Sequence, residues 1–287
     1  MRRGFLALAL IGMSILPSAA ARADAEVDAK ISAYQKVGGV AGNLSAIGSD
    51  TLNNVMTMWA ESFRNVYPSV QVQVEGKGSS TAPPALIAGT AQLGPMSREM
   101  KADELDAFEK KFGYPPTQFR VAIDALAVYV NKDNPIACLT VQEINRMFSV
   151  NRRAAFGGEI STWGEVGLTG EWKAKPIVFY GRNTISGTYG FFKEMALYGG
   201  DFKPDVRQQS GSEEVVQHVA NDRYAIGYSG IGYKTDGVRA VPLDLGDGGG
   251  CHDTSQNRLT QASIRSRDIY TFKKPNESLG SAAGRVH

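Results

Sequence analysis

Residues 176–197 read Pro-Ile-Val-Phe-Tyr-Gly-Arg-Asn-Thr-Ile-Ser-Gly-Thr-Tyr-Gly-Phe-Phe-Lys-Glu-Met-Ala-Leu. The run Pro176 to Tyr180 is short, apolar and partly β-branched, as a buried strand should be. Gly181 to Thr188 is a loop of Gly, Ser, Thr, Asn and one Arg. Ser186 or Gly187 then opens a helix through Gly190, Phe191, Phe192, Met195 and Leu197. The order strand, polar loop, helix is one half of a βα unit. A helix start carries unsatisfied N–H groups and partial positive charge, so a loop of this kind is suited to an oxyanion.

Three more segments repeat the design: Gly48-Ser49-Asp50-Thr51, Gly78-Ser79-Ser80-Thr81 and Pro95-Met96-Ser97-Arg98. The first precedes a helix over Asn53–Tyr67 whose apolar face reads Val55, Trp59, Phe63 and Val66. The second follows alternating Val70, Val72 and Val74 and precedes Pro83 and Pro84, which suit a first helical turn. The third precedes a charged helix over Ala102–Phe112. Phe119 to Asn131 is a long apolar strand, and Thr140-Val141-Gln142-Glu143 is a capping box opening a helix to Phe148. Ser212 can cap a helix to Asn221, and Tyr224–Gly230 and Val238–Leu243 read as strands. No internal repeat is visible. The alternation predicts an α/β fold with parallel or mixed sheets. Any one of the four loops is explained by helix capping alone; four in separate βα units point to an anion. None has the spacing GxxxxGK[ST], so nucleotide hydrolysis is not supported.

The 287 residues hold 31 Lys+Arg, 29 Asp+Glu and 43% apolar residues, ordinary globular proportions. The slight basicity is misleading. Arg2 and Arg3, an apolar run Phe5–Leu16 and the small-x-small site Ala21-Arg22-Ala23 form a secretory signal over residues 1–23, too short to span a membrane. Those residues hold three Arg and no acid, so the remainder has 28 basic and 29 acidic residues, and a nucleic-acid role loses its support. In an oxidising compartment Cys138 and Cys251 either pair or remain two buried thiols. They are too few and too far apart for zinc. His218, His252 and His287 show no ligand spacing, so neither metal nor cofactor is expected.

On Ile47-Gly48-Ser49-Asp50-Thr51, the Gly-x-Gly-Ser-Ser loop at 76–80, Arg182-x-x-x-Ser186-Gly187-Thr188 and the strand Ala225-Ile226-Gly227-Tyr228, the chain resembles the periplasmic phosphate-binding proteins that feed phosphate ABC transporters. The likeness runs from about Ser45 to Leu243. It implies a two-lobed type II periplasmic-binding-protein fold, with mixed sheets flanked by helices and a two-stranded hinge. The lobes would be 43–130, 131–224 and a return through 225–244, after a mobile leader at 24–42. The resemblance also implies binding of inorganic phosphate by Asp50, Thr51, Ser79, Arg182, Ser186, Gly187 and Thr188, with no catalytic step. Many members place an Asp two residues after a Gly-Ala step, where it accepts the proton of hydrogen phosphate. This chain has Met96-Ser97-Arg98 there. Ser97 and Arg98 would then supply a donor and positive charge, as in members with Ser-Arg, and Asp124 is the candidate acceptor. Asp124 can equally be a hinge acid bonded to backbone amides.

The implied partners are phosphate and an ABC transporter permease, and the implied form is a periplasmic monomer. Rival readings are a binder of sulfate or molybdate, a secreted serine phosphatase or esterase using Ser79 or Ser186, and an adhesion or signalling protein on the same fold. No Gly-x-Ser-x-Gly elbow and no nearby His favour the esterase. The tail departs from the family. Residues 245–287 show no convincing strand or helix, and only Thr271–Glu277 is distantly similar to the family's late strand and turn. This is the pattern expected of a truncated or frameshifted end.

Overall fold

The computed structural model describes residues 30, 32–152, 156–252 and 266–273. The expected export signal at 1–23 and most of the tail lie outside them. The first lobe contains β1 (Gly42–Gly48), α1 (Asn53–Val66), β2 (Val70–Gly76), α2 (Ala82–Ala88), β3 (Leu93–Met96) and α3 (Ala102–Phe112). A long strand, β4 (Thr117–Asn131), leads into the second lobe. There follow β5 (Leu139–Thr140), α4 (Val141–Phe148), β6 (Val178–Arg182), α5 (Gly187–Met195), β7 (Arg207–Gln209), α6 (Ser212–Asn221), β8 (Ala225–Gly230), β9 (Val238–Ala240), β10 (Leu243–Asp244) and β11 (Cys251–His252). β12 (Ser266–Lys273) returns to the first lobe.

The main sheet has the order β2-β1-β3-β12-β4-β8-β6-β7, with β9 also on β4. β1 runs parallel to β2 and β3, and β6 runs parallel to β7 and β8, as βα units require. β4 is the join. Its residues Thr117–Ala125 pair with β12, and Leu126–Val130 pair with β8. At about 3.3 Å per residue its 15 residues span about 50 Å, enough to serve both lobes. The apolar clusters respect that division. Clusters around Ala46, Met56, Leu86, Met96 and Phe108 draw on the first lobe, and those around Val128, Phe148, Phe192, Val215 and Tyr228 on the second. Val40 is already buried with Tyr67 and Val70, within the stretch read as a leader.

α2 carries its prolines in the first turn. Thr140 caps α4: its Oγ1 accepts the Glu143 N–H at 3.0 Å, while Glu143 Oε2 accepts the Thr140 N–H at 2.8 Å. Four readings shift. α1 buries Met56 and Ala60 and leaves Trp59 45% exposed, so the face it turns inward is rotated from the one read in the sequence. β6 extends to Arg182, where it is laddered to Gln209. The strand read at 238–243 is two strands separated at Val241-Pro242, since proline has no N–H to donate to a ladder. Ser212 does not cap α6 but is its first residue, after Gly211.

The largest correction is in the tail. Residues 245–287 showed no convincing strand, yet β12 lies inside the sheet, antiparallel to both β3 and β4. Its register shifts between Ile269 and Tyr270. A bulge breaks the period of two by which a strand is recognised in sequence. The two cysteines do pair. A Cys138–Cys251 disulfide closes the small sheet β11-β10-β5 across 113 residues of sequence. Among the described residues, no helix is long and apolar enough to cross a membrane, and no group of three or more His, Cys, Asp or Glu is placed to hold a metal ion.

Candidate functional site

The four glycine- and hydroxyl-rich loops lie at the C-terminal ends of β1, β2, β3 and β6, where α/β sheets bind ligands. Glycine allows the first three to converge. A Cβ on Gly48 would lie 2.0 Å from the Pro95 carbonyl oxygen, so β1 and β3 approach more closely than any side chain permits. The Ser49 N–H donates to Pro95 O at 2.7 Å and the Gly78 N–H to Gly48 O at 2.7 Å. Ser79 Oγ accepts the Ser97 N–H at 3.0 Å and lies 3.0 Å from Ser97 Oγ, with both serines fully buried.

The second lobe meets this rim through the start of α5. Ser186 Oγ caps the helix, accepting the Thr188 and Tyr189 N–H groups at 3.1 and 3.4 Å. Thr188 Oγ1 and Thr51 Oγ1 share a hydrogen bond of 3.0 Å, and the Ser80 N–H donates to Ile185 O at 3.1 Å. Gly187 faces the two serines; a Cβ there would lie 2.4 Å from Ser97 Oγ and 2.5 Å from Ser79 Oγ. Five hydroxyls and the first amides of α5 thus converge where the lobes touch.

Arg182 supplies the charge. It ends β6, is 1% exposed, and packs among polar groups: Nη1 donates to Ser212 Oγ, Nη2 donates to Ser210 O at 2.7 Å, and Nη1 lies 3.0 Å from Asp50 Oδ2. Its Nε has no hydrogen-bond partner among the described residues. Burial lowers the Arg182 pKa and the Asp50 charge opposes that shift, but a guanidinium remains protonated at neutral pH. Tyr228 OH accepts the Arg182 backbone N–H at 3.2 Å, and a Cβ on Gly181 would collide with that ring. Burial holds the Tyr228 phenol well above its usual range, so it stays a neutral hydroxyl.

Asp50, Thr51, Ser79, Ser97, Arg182, Ser186, Gly187 and Thr188 are therefore brought together. Arg98 is turned aside. Its Nη2 and Nη1 donate to the two Glu104 carboxylate oxygens at 2.7 and 2.8 Å, Nη1 also donates to Glu99 O, and Nη2 reaches Ser80 Oγ at 3.3 Å. Its charge is matched by Glu104, so it braces the rim beside the cluster. Asp124 stands on β4 where the chain crosses between lobes, against Gly230; a Cβ on Gly230 would lie 3.2 Å from Asp124 Oδ1. Sequence reasoning did not find Tyr228 and Tyr233 as supports, or Ser212 as a partner of Arg182. Tyr233 OH donates to Asp50 O at 2.8 Å from 183 residues away, a contact without local signal.

The description "PBP superfamily domain" matches residues 33–279. The chain is 52% identical over 263 residues to the phosphate-binding protein PstS of Pseudomonas aeruginosa, covering 91% of this chain and 81% of that one. It belongs to the periplasmic phosphate-binding protein family. Another family member, the phosphate-binding protein PstS of Bacillus subtilis, is 27% identical over 247 residues, covering 85% of this chain and 76% of that one. Among solved structures, an ABC transporter substrate-binding protein with bound phosphate from Clostridium perfringens superposes with a TM-score of 0.67 at 27% identity, covering 81% of this chain and 86% of that one. An ABC-type phosphate transport receptor from Vibrio cholerae shares the fold, with a TM-score of 0.58 at 21% identity over 80% of this chain and 86% of that one. Periplasmic phosphate-binding proteins are substrate-binding transport proteins and not enzymes. The serines fit that role: Ser79 Oγ is engaged by Ser97 and Ser186 Oγ by backbone amides, while His218 stacks on Tyr180 and His252 pairs with Asp247.

Proposed function

We propose that the protein captures inorganic phosphate in the cleft between its lobes and delivers it to the permease of an ABC importer, acting as an exported monomer after removal of residues 1–23. The observation that carries this reading is the cluster of buried Ser79, Ser97, Ser186 and Thr188 hydroxyls, with half-buried Thr51, beside Arg182, whose Nε is buried without a hydrogen-bond partner among the described residues. A tetrahedral oxyanion can take several donors at once, and a dry site makes each worth more than in water. Thr51, Ser79, Ser97, Ser186 and Thr188 would donate through hydroxyls, the Asp50 and Gly187 amides through the backbone, and Arg182 through its guanidinium. Arg98 would hold the Ser80 loop in place. The chain outside residues 1–23 is nearly neutral, so the ligand is held by these local donors and not by a broad positive field.

Selectivity follows from proton accounting. Phosphate keeps at least one proton at neutral pH and sulfate has none. A carboxylate in the cleft would accept that proton from phosphate and face sulfate charge to charge, which costs several kcal/mol when both are buried. Asp124 is the proposed acceptor. The test is thermal shift and calorimetry of the chain from Asp24 with phosphate, arsenate, sulfate and molybdate, on the wild type and Asp124→Asn. Phosphate and arsenate should stabilise the wild type, and Asp124→Asn should narrow the ratio of phosphate to sulfate affinity. Stabilisation by sulfate and not by phosphate would overturn the proposed ligand; unchanged selectivity in the variant would remove Asp124 from the role.

A further inference from the structure

We propose that the Asp50 side chain is an inter-lobe latch and not an anion donor: one first-lobe carboxylate holds Arg182 and the N-terminus of α6 in the second lobe, and so governs how long the ligand stays bound. The ligand in this statement rests on the proposed function; the contacts do not. Asp50 lies in the loop between β1 and α1. Its Oδ2 accepts the N–H of Ser212, the first residue of α6, at 2.8 Å, and lies 3.0 Å from Arg182 Nη1. The residue before α6 is Gly211, which has no side chain with which to cap the helix. Glu214 serves the Ser210 and Gly211 amides from within the same lobe, and Asp50 serves the next one from the other lobe. A carboxylate at a helix N-terminus opposes the partial positive charge there.

Among the described residues, Asp50 is the one carboxylate within ion-pair distance of Arg182. Parting the lobes would therefore strip Arg182 of its counter-charge and α6 of its remote cap together. The other cross-lobe hydrogen bonds among the described residues, Thr51 to Thr188, Ser80 to Ile185 and the Tyr233 hydroxyl to the Asp50 and Thr51 carbonyls, join neutral groups. Those of Asp50 are charge-assisted and are the stronger class. The same residue is pinned a third time, because Tyr233 OH donates to its carbonyl oxygen at 2.8 Å. Burial, followed by the charge of Asp50, holds the Tyr233 phenol far above its usual range, so it remains a donor. With Oδ2 already taken by two donors and a negative charge of its own, the carboxylate is badly suited to touching an anion. It acts through Arg182, as a positioning residue.

The test uses the whole chain with spin labels at Glu61→Cys and Glu194→Cys, exposed positions on α1 and α5; both native cysteines are in the disulfide. Inter-lobe distances are read without and with inorganic phosphate, and phosphate association and dissociation rates are read by stopped flow. Asp50→Ala should raise the dissociation rate at least tenfold, change the association rate less than threefold, and lengthen the distance distribution without phosphate. Asp50→Asn, which can still accept the Ser212 N–H but carries no charge, should fall between wild type and Asp50→Ala. Tyr233→Phe leaves the carboxylate intact and should shift both readouts a shorter way in the same direction. A variant set that loses affinity through association alone, or that leaves the distances unchanged, overturns the latch. A wild type that does not bind phosphate would refute the proposed function instead. The distances without ligand then decide the latch, and identical distributions in wild type and Asp50→Ala overturn it.

Discussion

Replacing Gly187 by alanine should abolish tight binding while leaving the fold intact. Gly187 is the first residue of α5 in the second lobe, and its Cα faces Ser79 and Ser97 of the first. An added Cβ would lie 2.4 and 2.5 Å from their two Oγ atoms, where ordinary contact begins at 3.4 Å, so each oxygen must retreat by about 1 Å. Neither has room to do so. Both serines are buried, and Ser79 Oγ holds the Ser97 N–H. Overpacking of this kind costs about 1–3 kcal/mol. Breaking the buried hydrogen bond adds about 1 kcal/mol. A loss of about 2–4 kcal/mol in the closed form corresponds to roughly 30- to 1,000-fold in affinity.

The strain exists only where the lobes meet. Within α5 itself, alanine is up to ~1 kcal/mol more favourable than glycine. Calorimetry with phosphate should therefore show the large loss, while thermal unfolding without phosphate should keep or slightly raise its midpoint. Binding within threefold of wild type would show that the serines and the start of α5 do not come together as described, and would refute the reasoning at its root.

Reducing the Cys138–Cys251 disulfide, or replacing both residues by serine, should lower the unfolding free energy by up to ~4–5 kcal/mol, the chain-entropy value for a loop of this length. Urea unfolding with and without reductant measures it, and coincident midpoints would remove the crosslink from the stability of the second lobe. Glu104 carries a pH dependence. Burial raises its pKa, but the Arg98 hydrogen bond and the Lys101 amide together hold it below the ordinary 4.5. The stability it contributes is therefore fully present above about pH 4.5 and is lost as pH falls through the lower folded value. Unfolding of wild type and Glu104→Gln should differ at neutral pH and converge in acid; a constant offset down to pH 3 would count against the ion pair.

Much of the candidate site was legible in the chain because its polar groups are local. Ser186, Gly187 and Thr188 lie at one helix start, and three consecutive residues suffice to specify it. The same holds for Gly48 to Thr51 and for Ser79, where a strand end, small residues and a helix start are adjacent in sequence. The readings that the structure altered concern positions whose meaning depends on other parts of the chain. Arg98 reads as positive charge for the site until Glu104 is found paired with it, and Ser212 reads as a cap until Arg182 and Asp50 reach it from elsewhere. β12 hides behind a bulge, so its place between β3 and β4 had no periodic signature.

The sequence alone thus determined the βα units, the capping of α4, the loop chemistry that suits an oxyanion, and the family, since each rests on residues within a few positions of one another. Only the tertiary structure decided which loops face each other, that the cysteines pair, that the tail supplies an inner strand, and that Asp50 joins the lobes. The physical reason is common to all four. They are contacts between groups far apart in the chain, and their free energy depends on a distance and a burial that no local pattern encodes.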